Sequence, residues 1–294
     1  MSQPSTETVV FEGDEVVATL PEGTRRTMKF RDLLRRMSPS VPDTCGAILP
    51  DGIKCSLPFA GGVILVHQTP PQVYSFQWIA NDSSADYGPG TEYRTVRLAL
   101  PYVVVLAVFL VSGRGGGMPV LSSRNECFFS NDPLEMKGLE TPLAYPALLN
   151  CSKMDDDGAG PLSWICTQHL PSKEFARRRT LDASLRAGLT ALLRHLLESG
   201  FNRSSEVHEG ASGFGTTVAA EIDPRVATVE AWQQATEDDP LFVLEVPWLP
   251  TGKTLAEIAA RVGKPGRSRG RSVDTAADLA RLVFNATKTP RSRK

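Results

Sequence analysis

The chain has 294 residues, 41% of them hydrophobic and 22% charged, with a formal net charge of −1. This composition suits a folded protein with a sizeable core and excludes a collagen-like or low-complexity chain. It also excludes a body designed as a whole for polyanions, although charge is unevenly spread: from Lys264 to Lys294 nine Lys/Arg face only Asp274 and Asp278. A basic terminus on an acidic body is a solvated tail, or a contact for an acidic partner or nucleic acid.

Met1–Glu7 is polar and lacks the charged-then-apolar pattern of an export signal, so a cytoplasmic protein is expected. The longest apolar run, Leu98–Val111, has 14 residues, short of the ~20 that a spanning helix needs. Its valines favour a central strand buried on both faces, and no membrane association is expected. The five cysteines, Cys45, Cys55, Cys127, Cys151 and Cys166, are odd in number and widely spaced, which argues for reduced thiols.

In chain order, Thr8–Leu20 reads as a hairpin turning at Gly13-Asp14, and Phe30–Met37 as a short helix ended by Pro39 and Pro42. Pro50-Asp51-Gly52 marks a turn. Strands follow at Gly62–His67, Gln72–Ile79 and the valine-rich run, giving an antiparallel meander, with a polar loop at Asn81–Thr91. Gly113–Gly117 lacks the Lys-Ser/Thr of a phosphate loop and reads as a tight hairpin into Met118–Leu121. Residues 122–170 read as irregular because of Pro133, Pro142, Pro146 and Pro161.

The clearest helix carries Leu181, Leu185, Leu189, Leu192, Leu193 and Leu196, with Thr180 as N-cap and Gly200 as C-cap. Val229–Thr236 is a second helix and Leu241–Val246 a strand. Thr254-Leu-Ala-Glu257 is a capping box, and Asp274 caps a last helix through Phe284. The fold class is therefore α+β, with C-terminal helices packed on the sheet. The segments are a hairpin and short-helix extension over 1–60, an α/β core over 61–200, an α/β extension over 201–263, and a basic linker, short helix and tail over 264–294.

Cys166 is the candidate nucleophile: it ends the apolar segment Leu162-Ser-Trp-Ile165 and enters polar Thr167-Gln168-His169, and His169 is placed to lower its thiol pKa. A zinc site of Cys127, Cys151, Cys166 and His169 lacks the usual paired spacing, so no metal or cofactor is expected. His67 and His195 read as structural, and the four tryptophans as core.

The stretch Pro142-Leu-Ala-Tyr145-Pro146, then Leu148-Leu149-Asn150, then Trp164-Ile165-Cys166-Thr167, resembles the active-site region of ubiquitin-conjugating enzymes. In that family a meander sheet leads to a Tyr-Pro, a His-Pro-Asn turn, the active cysteine and helices. The order of elements is most similar to the prokaryotic branch that includes the PRTRC system protein B family. The resemblance implies a transferase that carries a ubiquitin-like modifier as a thioester on Cys166, with Asn150 donating to the oxyanion, and with an activating-enzyme-like partner. Leu148-Leu149 replaces the His-Pro, fifteen residues separate Asn150 from Cys166, and Cys151 stands beside Asn150 as a second thiol. A catalytically inactive scaffold on the same fold, and an unrelated interaction protein using its basic tail, are the other readings.

Overall fold

The computed structural model describes residues 8–30, 32–33, 48–59, 61–79, 94–111, 119–147, 151–153, 161–167, 170, 180–198, 200–202, 221–262, 280 and 283. The chain divides into two units, residues 1–39 with 267–294, and residues 40–266.

The smaller unit is built on the expected hairpin. β1 (Thr8–Glu12) and β2 (Glu15–Thr19) turn at Gly13, whose φ of +63° suits a residue without a Cβ, and β3 (Arg25–Lys29) pairs with β2. Val16, Ala18, Met28 and Leu33 form an apolar cluster with Ala280 and Val283. Part of the basic C-terminal stretch thus folds onto the N-terminal sheet. The remainder of the helices expected near Phe30–Met37 and Asp274–Phe284 lies outside the described residues.

In the larger unit, β4 (Ile53–Phe59) follows the turn at Gly52 and pairs with β5 (Gly62–Thr69). Residues 48–59, assigned from sequence to the N-terminal extension, therefore belong to this unit. β6 (Gln72–Ile79), β7 (Arg94–Leu100) and β8 (Tyr102–Val111) come next. They do not form the expected meander. β5 pairs with β8 and β6 with β7, and the register runs without a slip from Gly62↔Leu110 through Thr69↔Val103 and Gln72↔Leu100 to Trp78↔Arg94. This is one long antiparallel hairpin, bent where Pro70, Pro71 and Pro101 remove ladder donors. The same Pro101 divides the valine-rich run into two strands.

Residues 122–170, read as irregular, supply much of the sheet. Beyond β9 (Pro119–Leu121), the chain forms β10 (Glu126–Ser130), a short helix α1 (Leu134–Lys137), β11 (Pro142–Ala144), β12 (Cys151–Lys153) and β13 (Ser163–Ile165). The strand order is β12-β13-β10-β8-β5-β4, with β9 on β8 and β11 on β10.

α2 (Leu181–Leu197) is capped by Thr180, whose hydroxyl accepts from the Ala183 amide at 3.3 Å. Its C-cap is Glu198, not Gly200, which instead opens β14 (Gly200–Asn202), a parallel partner of β6. α3 (Val229–Asp238) is capped by Thr228. Leu241–Val246 is not a strand: Phe242–Leu244 winds into a 3₁₀ turn, because the Asp239 carboxylate accepts the Leu241 amide at 2.9 Å just after Pro240. β15 (Pro250–Thr254) pairs with β11 and leads into α4 (Leu255–Val262) through the expected capping box, with Thr254 and Glu257 exchanging hydrogen bonds at 2.8 and 3.3 Å.

The larger unit is thus α+β with a mainly antiparallel sheet covered on both sides. Val103, Val105, Ala107 and Phe109 of β8 face one apolar cluster with α2 and α3; Val104, Leu106 and Val108 face another with α4. Trp78, Trp232 and Trp248 are buried as expected, whereas Trp164 is only partly buried, and the Trp232 indole donates to the Ala99 carbonyl at 2.8 Å. No described helix is long and apolar enough to cross a membrane.

A close helix–sheet approach is made at Gly188 of α2, where an added Cβ would lie 2.6 Å from the Phe109 ring. Alanine gains about 1 kcal/mol of helix propensity over glycine, but crowding a filled core costs about 1–3 kcal/mol. Since Phe109 is fully buried, crowding wins. Gly188→Ala is expected to lower the urea midpoint by an amount equivalent to ~1 kcal/mol, with an unchanged slope of the unfolding transition.

Candidate active site

Cys166 follows β13 directly, so the way β13 is held decides where the thiol sits. β13 pairs antiparallel with β12, in the register Cys151↔Ile165, Ser152↔Trp164 and Lys153↔Ser163. On its other side it meets the start of β10, with Glu126 opposite Trp164. The Ile165 amide donates to the Asn125 carbonyl at 2.9 Å. The Asn125 side chain in turn accepts from the Val108 amide of β8 at 2.9 Å and donates to the Ser122 carbonyl at 2.6 Å. The Trp164 indole donates to the Ser123 carbonyl.

The decisive support is Glu126, a fully buried side chain. One of its carboxylate oxygens, Oε2, accepts the backbone amides of Leu162 and Ser163 at 2.8 and 3.2 Å. Burial raises its pKa from 4.5 to about 7, against the opposing pull of those two amides and of the Arg261 and Arg124 charges. Among the described residues its Oε1 and the buried Ser163 hydroxyl have no hydrogen-bond partner. Sequence reading missed Glu126 by treating 122–170 as irregular. The available signal was a lone acid beside Cys127-Phe128-Phe129, since a charge next to an apolar run is seldom buried without a purpose.

Cys166 itself is half-buried. Its carbonyl is met by Nε2 of His195, in the last turn of α2, at 2.5 Å. In that contact Nε2–H donates, since a carbonyl oxygen can only accept. The histidine expected beside Cys166 was His169, which lies outside the described residues, as does Asn150. Their immediate neighbours are informative: Cys151, which follows Asn150, pairs with Ile165, which precedes Cys166. Cys151 and Cys127 are both buried in the larger apolar cluster. Among the described residues no group of three or more His, Cys, Asp or Glu is arranged to hold a metal ion.

His67 is buried in β5, and its pKa is lowered from 6.5 to about 4, first by burial and then by the Lys54 charge. The arrangement as a whole offers a partly buried cysteine at a strand end, an imidazole bonded to its backbone carbonyl, and a strand clamped by a buried carboxyl.

The raised Glu126 pKa has a definite linkage sign. Folding favours the protonated acid, so its contribution is fully present below pH 4.5 and is lost as pH rises to about 7. Glu126→Gln removes this dependence. Urea unfolding at pH 4.5 and pH 8 should show the variant gaining relative stability at the higher pH, on the order of 3 kcal/mol for the full shift. Taking the difference between the two proteins cancels the opposite trend from His67, whose contribution to stability is lost as pH falls from 6.5 towards 4.

Comparison of the chain with protein-family models, with curated proteins and with solved structures finds no match.

Proposed function

We propose that the larger unit is a ubiquitin-conjugating-type core that carries a ubiquitin-like modifier on Cys166. In this reading the bent hairpin β5–β8 takes the part of the family's meander, and β12 and β13 frame the active-site segment. The observation that carries the reading is the register of β12 on β13. The residues adjoining Asn150 and Cys166 are paired with each other, as a site that uses an asparagine donor beside a cysteine requires. The half-exposure of Cys166, against the full burial of Cys127 and Cys151, supports Cys166 as the acceptor thiol.

The chemistry is two acyl transfers. The Cys166 thiolate attacks the carbonyl carbon of the modifier's C-terminal thioester on an activating enzyme. A new C–S bond forms, the old one breaks, and the donor's thiolate leaves. An acceptor amine then attacks the same carbon, forming C–N and releasing the Cys166 thiolate, while the amine proton passes to solvent base. Thiolate is a good leaving group, so the second step needs positioning and oxyanion donation more than strong acid–base catalysis.

The reading is tested by thiol reactivity. Native protein is treated at pH 7 with iodoacetamide and the modified cysteines are mapped by mass spectrometry, with Cys166→Ala and Cys151→Ala in parallel. Cys166 is expected to label at least tenfold faster than Cys127 and Cys151, because only it is solvent-accessible among the three. Labelling of Cys166 only after denaturation would replace the transferase with an inactive scaffold on the same fold.

A further inference from the structure

A second surface lies on the outer side of α3. Ala231, Gln234, Ala235 and Asp238 follow one another at i, i+3, i+4 and i+7, and with Pro224 and Phe242 they line an open groove of about 420 Å³. The opposite side of the helix is spent on the core, where Val229, Trp232 and Thr236 are buried. The two alanines hollow the helix surface and the exposed Pro224 supplies an apolar wall, with the buried Phe242 behind it under the Arg225 guanidinium, so the groove can take aliphatic side chains.

The surroundings are strongly acidic. From Glu221 to Val246 the sequence carries seven Asp/Glu against Arg225 alone. Arg225 is already neutralised: it bonds Asp223 at 2.9 Å and Glu245 at 3.3 Å, and lies 5.0 Å over the Phe242 ring. Glu230 is paired with Arg94. Glu237, Asp238 and Asp239 remain exposed, with no cation at ion-pair distance among the described residues. Glu237 and Asp238 also stand in the last turn of α3, which holds no basic residue. The helix dipole disfavours acids there by about 0.3–1 kcal/mol each. Such a violation of local preference is expected where a surface serves binding.

We propose that this groove docks a cationic amphipathic helix of a partner protein, its aliphatic side chains seated on Ala231 and Ala235 and its lysines or arginines facing Glu237, Asp238 and Asp239. Charge complementarity selects this occupant. An acidic or neutral helix would leave the carboxylates unmatched, and a purely polar cation would leave the apolar floor wet. The inference stands apart from the chemistry at Cys166.

The full chain is titrated, with fluorescence anisotropy as the readout, against a labelled peptide with leucines at i, i+3, i+4 and i+7 and lysines elsewhere. Two control peptides replace the leucines by alanine or the lysines by glutamate. Each control is expected to bind at least tenfold more weakly, and raising salt from 50 to 300 mM should weaken the leucine–lysine peptide about tenfold. The double variant Glu237→Lys/Asp238→Lys should lose about tenfold in affinity, yet keep or gain thermal stability because lysine suits a helix C-terminus. Ala235→Gln, which fills the groove without changing charge, should cause a similar loss. Absence of binding, undiminished binding by the double variant, or equal binding of the alanine control, which marks diffuse attraction, would each overturn the proposal.

Discussion

Seven consecutive residues, Val103–Phe109, are buried on both faces of one strand. Such a strand is stable only if apolar layers cover both sides, since burying an aliphatic or aromatic side chain contributes about 1.5–3 kcal/mol and leaving either face wet forfeits half of that set. The C-terminal half of the larger unit meets this demand. α2 and α3 cover the face of Val103, Val105, Ala107 and Phe109, and α4 covers that of Val104, Leu106 and Val108. The bend at Pro70, Pro71 and Pro101 lets the far end of the same hairpin leave the main sheet and pair with β14. There it presents the Ala99 carbonyl and amide to Trp232 and Thr236 of α3.

The candidate site hangs from that central strand through a short series of polar contacts. Val108 of β8 binds the Asn125 side chain, Glu126 holds the start of β13, the Asn125 carbonyl holds its last residue, Ile165, and Cys166 follows. From the other direction α2 packs its leucines on the sheet and brings His195 to the Cys166 carbonyl. The backbone at Cys166 is therefore held from two elements that are themselves locked by core packing. A buried carboxyl with a pKa near neutrality is a costly way to anchor a strand. Its bonds to Leu162 and Ser163 couple the stability of the strand that leads to Cys166 to pH.

Features carried by local physics were legible in the sequence. The leucine repeat and Thr180 mark α2, the Thr254/Glu257 box opens α4, and Gly13 turns the first hairpin. The failures share one cause, competition between local signals and distant partners. β10 was hidden because Glu126 and Ser130 flank only three apolar residues, and neighbouring prolines suggested a loop. What makes it a strand is pairing with β8, which lies some twenty residues earlier. Leu241–Val246 looked like a strand until the Asp239 cap turned it. The bent hairpin was read as a meander because proline breaks look like strand ends whether or not the register continues across them. His195 and Cys166 are 29 residues apart, and only packing of α2 brings them together.

The most direct test of the account is transfer of an acyl group to Cys166. The protein would be incubated with a ubiquitin-like protein bearing an activated C-terminal thioester and followed by intact mass spectrometry, with Cys166→Ser and Cys166→Ala in parallel. The account predicts an adduct that dithiothreitol releases, a slower-forming and dithiothreitol-resistant ester on Cys166→Ser, and none on Cys166→Ala. An adduct that persists in Cys166→Ala, or no adduct with a protein whose Cys166 alkylates readily, would contradict it.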